Sequence, residues 1–243
     1  MTSTSASEAT GRFTFVIPTI WAPGKQFVER LVKDLDRSPW VERIILIDNA
    51  PKSKKPPFDF PKLVWVSQKK NLYVNASWNL GVGLARTDLI ALCNDDINTD
   101  WSLLEHVSRE LRKIPANTPA QIPPAGGFPA VIGMGKNAHL SATAPSFEPV
   151  ESRPLGFGMC MFMTRDSFFD IPAELRVWCG DDFLFDVWRA RHQEIFALSD
   201  WAFELAGNTM SVSSAKRRFK RIRKRDLQVY ISNGAQWVHD VVS

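Results

Sequence analysis

No apolar run in the sequence exceeds about seven residues; the longest is Phe157 to Met163, with Gly158 inside it. A bilayer-spanning helix needs roughly 18 or more, so none is expected. Cysteine is scarce: Cys93, Cys160 and Cys179 are widely spaced among apolar neighbours. An odd, scattered set argues for buried free thiols over a disulfide frame or a zinc site. Residues 1–11 are rich in Ser, Thr and Ala and have neither a basic start nor an apolar stretch. They read as a flexible tail rather than a signal peptide, and cytoplasmic residence is the expectation. Beyond that tail there is no internal repeat or low-complexity segment.

What is present is ordinary for a globular enzyme-sized chain. Apolar residues make up 44% and charged residues 23% of 243 positions, close to globular averages, which excludes disorder and fibrous repeats. The length fits one large domain with a proper core. The net charge of +4 hides an asymmetry, because Lys216 to Arg225 holds eight basic side chains and no acidic one. Outside that decade acids outnumber bases by four. The decade is either a solvated helix face or a patch for anionic lipid, a phosphorylated ligand or nucleic acid. Nucleic acid is not expected, since only Phe219 could stack and no DNA-reading motif stands elsewhere.

Strand and helix patterns alternate along the first half. Phe13 to Ile17, Arg43 to Ile47, Leu63 to Val66 and Leu89 to Cys93 read as strands. Helical spacing recurs at Phe27, Leu31 and Leu35, at Trp78, Val82 and Ala85, and at Trp101, Leu104, Val107 and Leu111, the last capped by Asn98 or Thr99. This order predicts an α/β domain with a mainly parallel central sheet flanked by helices. The second half opens with five prolines between Pro115 and Pro129, read as a long irregular loop. Strands are expected at Ala130 to Gly133 and Phe157 to Met163. Asp181 to His192 reads as a helix, and Ser213 or Ser214 as the cap of a basic helical extension.

Polar residues cluster where strands end: Pro18-Thr19, Asp48-Asn49 and Asn94-Asp95-Asp96. Ligands of open α/β sheets bind beyond the carboxyl ends of the strands. Adjacent carboxylates after an apolar strand are costly unless donors or a cation such as Mg²⁺ or Mn²⁺ satisfy them; the alternative is a solvent-facing turn whose acids serve a helix N-terminus.

In order and spacing, FVIPTI, IILIDNA, NLYVNASWNLGVGLARTDLIALCNDDI, GFGMCMFMTR and WCGDDFLFDVWRARH resemble the family 2-like glycosyltransferases of the GT-A (Rossmann-like) fold. The resemblance spans Phe13 to about Gly207. It implies a single catalytic domain over residues 12–210, with a nucleotide half at about 12–100, an acceptor half at about 127–210, and a helical extension at 211–243. Pro18, Thr19, Asp48, Asn71, Asn75, Asn79, Asn94 and Asp95 match the nucleotide-sugar side, and Asp96 the metal-coordinating acid of the DxD motif. Gly156, Phe157, Gly158 and Trp178 fall on the acceptor side. Asp181-Asp182 matches the motif whose second acid is the usual base, so Asp182 is the expected catalytic residue and Asp181 its neighbour in support.

The implied reaction is inverting transfer from a UDP-, GDP- or dTDP-linked sugar to a glycan or glycoconjugate hydroxyl, with Mn²⁺ or Mg²⁺ as cofactor. Peripheral membrane contact through Lys216–Arg225 is an open alternative. Two departures stand out: Asn94 replaces the first DxD acid, and no His follows the last core strand in Phe203 to Thr209. His192 and His239 are the nearest substitutes. Trp21, Trp178 and Trp201 are candidates for stacking on a sugar, with core packing as the competing role. A sugar-phosphate nucleotidyltransferase and a non-catalytic sugar- or anion-binding module are the other readings; the former lacks its Gly-rich basic loop after the first strand.

Overall fold

A computed structural model describes residues 11–50, 58–112, 125–127, 144–154, 156–205 and 213–243, with the backbone alone described at 125–127, 204 and 213–216. The elements are β1 (Phe13–Thr19), α1 (Lys25–Arg37), β2 (Val41–Asp48), β3 (Leu63–Ser67), α2 (Tyr73–Leu84), β4 (Leu89–Cys93), β5 (Ile97–Thr99) and α3 (Leu103–Leu111). They continue as β6 (Ala125–Gly127), β7 (Ser146–Pro149), β8 (Cys160–Thr164), α4 (Gly180–Ala190), β9 (Ile195–Ser199), β10 (Phe203–Leu205) and α5 (Ser213–Val242).

Eight strands form one sheet in the order β3-β2-β1-β4-β8-β6-β9-β7, with β8 and β7 antiparallel to the rest. The expected mainly parallel, helix-flanked α/β sheet is therefore present. The chain moves outward from β1 through β2 to β3, then returns to place β4 on the other side of β1. That reversal makes the β1/β4 boundary a topological switch point, where a crevice opens beyond the strand ends.

Strand periodicity splits the core into two layers. Phe13, Phe15, Ile17, Ile44, Leu46, Ala91 and Phe162 face α1 and α3, whereas Val16, Ile45, Ile47, Ile90, Leu92, Met161 and Met163 face α2 and α4. Helix α1 buries Val28, Leu31, Val32 and Leu35, the i, i+3, i+4, i+7 stripe of an amphipathic helix. Each such side chain contributes roughly 1.5–3 kcal/mol on full burial, more than helix propensity supplies. Gly81 lets α2 lie against β1: a Cβ there would come within 2.1 Å of Val16 Cγ1. Cys93 and Cys160 are paired across β4 and β8, and all three cysteines are buried free thiols, as expected.

Four details depart from the sequence pattern. The apolar run from Phe157 becomes strand only at Cys160, because Gly156 at φ 80° starts a 3-10 turn over Phe157–Met159. Asn98 and Thr99 are not the cap of α3; they belong to β5, which pairs with β10, while Asp100 Oδ1 accepts the Ser102 N–H ahead of the helix. The Pro-rich segment contains a strand, β6, between β8 and β9, and the expected strand at 130–133 lies outside the described residues. Helix α4 starts one residue earlier than the pattern suggests and ends at Ala190.

The basic decade opens the 30-residue α5. Val229, Tyr230, Trp237, Val238, Val241 and Val242 of this helix pack on the α2/α4 layer, and Tyr230 donates to Asp186 Oδ2 at 2.6 Å. No helix among the described residues is long and apolar enough to cross a membrane.

Candidate active site

The ends of β1 and β4, the turn before β8, the start of α4 and the basic stretch of α5 converge on one cavity of about 770 Å³. Because β8 runs antiparallel to β4, with Cys160 opposite Cys93, residues 156–159 enter at the same sheet edge as Asn94-Asp95-Asp96.

On the switch-point side, Thr19 donates its hydroxyl proton to Asp95 Oδ2, joining the ends of β1 and β4. The same oxygen of Thr19 accepts the Trp21 N–H at 2.9 Å. Burial pushes the Asp95 carboxyl up to about 7, against the pull of the Thr19 hydroxyl, and the Asp96 charge adds to the rise. Asn94 fixes the turn through its N–H to the Met159 carbonyl at 2.9 Å. Asp95 and Asp96 are thus the pair that could hold a divalent cation; no group of three or more metal-ligating side chains occurs among the described residues.

On the other side, Arg153 bridges the second acidic pair. Its Nη1 donates to Asp181 Oδ2 at 2.9 Å and its Nε to Asp182 Oδ1. Burial raises the Asp181 carboxyl, Arg153 opposes that rise and the Asp182 charge adds to it. Asp181 presses on Gly158, where a Cβ would lie 2.7 Å from its Cβ, Cγ and Oδ2. The Asp182 side chain is the more open, 29% exposed against 20% for Asp181. Gly180, just before the pair, admits Asn75: a Cβ there would come within 2.3 Å of Asn75 Oδ1. The glycines beside both acids follow from close approach rather than from loop freedom.

The segment leading into α4 is strapped from two directions. The Arg176 carbonyl accepts the N–H groups of Val74 and Asn75 at the start of α2. Asp226 of α5, fully buried, accepts the N–H groups of Arg176, Val177 and Trp178 on Oδ2 at 3.2, 2.9 and 3.1 Å. A carboxylate shared by three successive amides is a strong charge-assisted anchor. Tyr73 and Cys179, at the starts of α2 and α4, have left-handed φ of 66° and 64°, as do Trp21, His192 and Asp200 elsewhere. The Cys179 thiol is pushed up to about 12, by burial first and then by Asp182 and Asp181.

Of the residues singled out from sequence, Pro18, Thr19, Asn71, Asn94, Asp95, Asp96, Gly156, Gly158, Trp178, Asp181 and Asp182 line the cavity. Four do not. Asp48 is buried behind the wall, accepting the Ala50 N–H and the Trp65 indole N–H, while its neighbour Asn49 lines the cavity. Asn75 reaches the Trp178 carbonyl, Asn79 clamps the Ile171 backbone through both amide atoms, and Phe157 packs on Phe185 and Trp188 in the core. Trp201 is buried and donates to the Asp100 carbonyl. Trp21 packs on Phe58, and neither it nor His192 nor His239 lines the cavity.

Arg153, Tyr73 and Trp78 also form the wall and were not singled out. Trp78 is buried, with an indole N–H that has no partner among the described residues. Tyr73 had a faint signal: it follows Asn71, whose Oδ1 accepts its N–H at 2.6 Å, an Asx-type turn. From the basic decade, Arg218, Phe219, Ile222 and Arg223 face the cavity.

No family model matches the sequence, and no curated protein matches it. Among solved structures, TarS of S. aureus, residues 1–349, is similar at a TM-score of 0.56 and 14% identity, over 79% of this chain and 59% of that one. Its complex with UDP gives a TM-score of 0.57 at 14% identity over the same shares. The complex with UDP-GlcNAc gives 0.57 at 14% identity over 83% and 61%. The chain therefore spans less than two thirds of the length of these structures. The likeness is one of fold, the GT-A type.

Proposed function

We propose that the protein is a glycosyltransferase that takes a sugar from a nucleoside-diphosphate sugar and passes it to a hydroxyl acceptor with inversion. One observation carries the reading: two acidic pairs, one on the β1/β4 switch point and one at the start of α4, open on a single cavity in a GT-A sheet. The solved complexes of TarS with UDP and UDP-GlcNAc favour a UDP-linked donor as the first probe.

In this reading the donor lies across the switch point, with Asn49, Asn71 and Thr19 on the nucleoside side. Asp96, with Asp95 beside it, holds Mn²⁺ or Mg²⁺ together with the donor diphosphate. The residues fit such an ion: Asp95 accepts from a neutral hydroxyl, its carboxyl is raised by burial and by Asp96, and hard cations of this kind bind through one or two carboxylates plus substrate phosphates. When bound, the ion supplies Lewis-acid stabilisation of the leaving diphosphate. Arg218 and Arg223 add positive charge to the same wall.

Asp182 is the general base. Arg153 orients it through Oδ1, and its carboxylate accepts the acceptor hydroxyl proton as the new bond forms, a contribution of about 10²–10⁴-fold. Asp181, backed by Gly158, keeps Arg153 in place. The test is a panel of nucleotide-sugars with Mn²⁺ or Mg²⁺. Slow nucleoside diphosphate release from one donor is expected; pyrophosphate from a nucleoside triphosphate and a sugar phosphate, or no turnover and no UDP binding, would overturn the assignment.

A further inference from the structure

Beside the donor cavity lies a second one, of about 550 Å³, with an unusual wall: Arg176, Arg217, Arg218, Arg221, Arg225 and Tyr73. Among the described residues no acidic side chain lines it. Arg217, Arg221 and Arg225 recur every fourth residue, one stripe of α5, and Arg176 comes from the segment strapped by Asp226. Arg225 is anchored, donating to the Glu174 carbonyl at 2.7 Å and Asp226 Oδ1 at 3.1 Å. The guanidinium carbons of Arg176 and Arg218 lie 5.3 and 5.9 Å from the centroid of the Tyr73 ring, and Arg218 donates to the phenol oxygen at 3.2 Å. Arg217 and Arg221 make no hydrogen bond or ion pair among the described residues.

The basic decade is sorted by residue type. Lysines fall at 216, 220 and 224, and Lys220 and Lys224 are exposed and line neither cavity. The adjacent stripe, which faces the second cavity, is all arginine. A solvated face has no need for that separation, whereas guanidinium forks match phosphate oxygens in pairs and ammonium groups do not. Five like charges in one concavity also repel until an anion enters.

We propose that the arginine cavity is a phosphate-binding site distinct from the donor cavity, taking a phosphomonoester or pyrophosphate group. Tyr73, Arg218 and Ile222 form the shared wall, so a molecule held there by its phosphate lies next to the donor. The assignment does not depend on the transferase reading.

The test is calorimetry of the full chain with inorganic pyrophosphate in metal-free buffer, comparing wild type with Arg217→Gln/Arg221→Gln and with Lys220→Gln/Lys224→Gln. The two double variants lose equal charge. The arginine variant should bind pyrophosphate at least about tenfold more weakly, the scale of even one lost charge-assisted contact, while the lysine variant stays near wild type. Equal weakening in both, or none in the arginine variant, overturns the proposal. So does full displacement of pyrophosphate by UDP, which would merge the two cavities into one site; absence of UDP binding would instead count against the donor reading alone. Co-sedimentation with phosphatidylglycerol/phosphatidylcholine vesicles separates the sources: arginine-dependent vesicle binding that pyrophosphate competes away identifies a lipid headgroup, and pyrophosphate binding without vesicle binding identifies a soluble phosphate.

Discussion

Asp95-Asp96 and Asp181-Asp182 are both adjacent acidic pairs on the wall of one cavity, yet the protein answers their charge in different ways. Asp95 accepts a hydrogen bond from the neutral Thr19 hydroxyl, while burial and the Asp96 charge raise its carboxyl. The second pair has its own counter-charge in Arg153, which contacts both acids. A carboxyl held by a neutral hydroxyl suits a ligand that arrives with a cation, as a metal-bound diphosphate does. A pair already held by a guanidinium suits proton transfer, because its orientation is fixed before the acceptor binds.

The sharpest way to break this division is Asp182→Asn, which keeps the shape and removes the proton acceptor. The turnover number should fall by about 10²–10⁴-fold with UDP affinity nearly unchanged. Asp181→Asn should cost less, since that side chain is backed by Gly158 and serves Arg153. Steady-state kinetics with a verified acceptor decides; a larger loss in the Asp181 variant would exchange the two roles.

The next largest effect concerns what holds the second pair in place. Asp226→Ala removes the acceptor of three buried amides and should destabilise the fold by about 2–4 kcal/mol, since buried donors left unpaired cost more than a typical bond gains. Thermal and urea melts measure it. A loss under about 0.5 kcal/mol, the ordinary range for surface changes, would mean that α5 is not the anchor of the segment before α4.

At the switch point, Asp96→Ala should remove the Mn²⁺-dependent part of UDP affinity, about 10–100-fold, the scale on which even outer-shell partners of a metal act. Calorimetry with UDP, with and without Mn²⁺, reads it. Metal-dependent affinity equal to wild type would take Asp96 out of that role.

How much of this was legible before the structure varied with the kind of signal. Strands β1, β2 and β4 and their polar ends could be read because alternation and the abrupt change from LIALC to NDD are local properties. The asparagines could not be sorted: Asn71, Asn75 and Asn79 sit four apart, but only Asn71 reaches the cavity, and a sequence does not show which amide is spent on Ile171 or Trp178. Arg153 was invisible because it lies 28 residues from Asp181 in a stretch with no periodicity. The basic decade left a solvated helix face and an anion-binding patch equally open; its spacing of four held the arginine stripe, but Arg176 and Tyr73, which complete the second cavity, come from other elements. The αL turn at Gly156 sat directly ahead of an apolar run that matched a strand.

The smallest effect tests the counter-charge itself. Arg153→Gln removes the cation that opposes the burial-driven rise of the Asp181 carboxyl, so that rise grows. The stability consequence has a definite sign. Asp181 in the folded state already sits above its ordinary value of 3.8, so the native state binds the proton more tightly than the unfolded chain does. The stabilising contribution of the protonated form is complete below that value and is lost as pH rises through the folded-state pKa. Without Arg153 the ionised carboxylate is less well compensated, and the variant should fall further behind wild type as pH rises from about 4 to about 8 and recover on acidification. Melting curves across that range measure the gap. A gap that stays constant with pH would show that Arg153 acts by packing and hydrogen-bond geometry, not by its charge, and would erase the electrostatic contrast between the two acidic pairs.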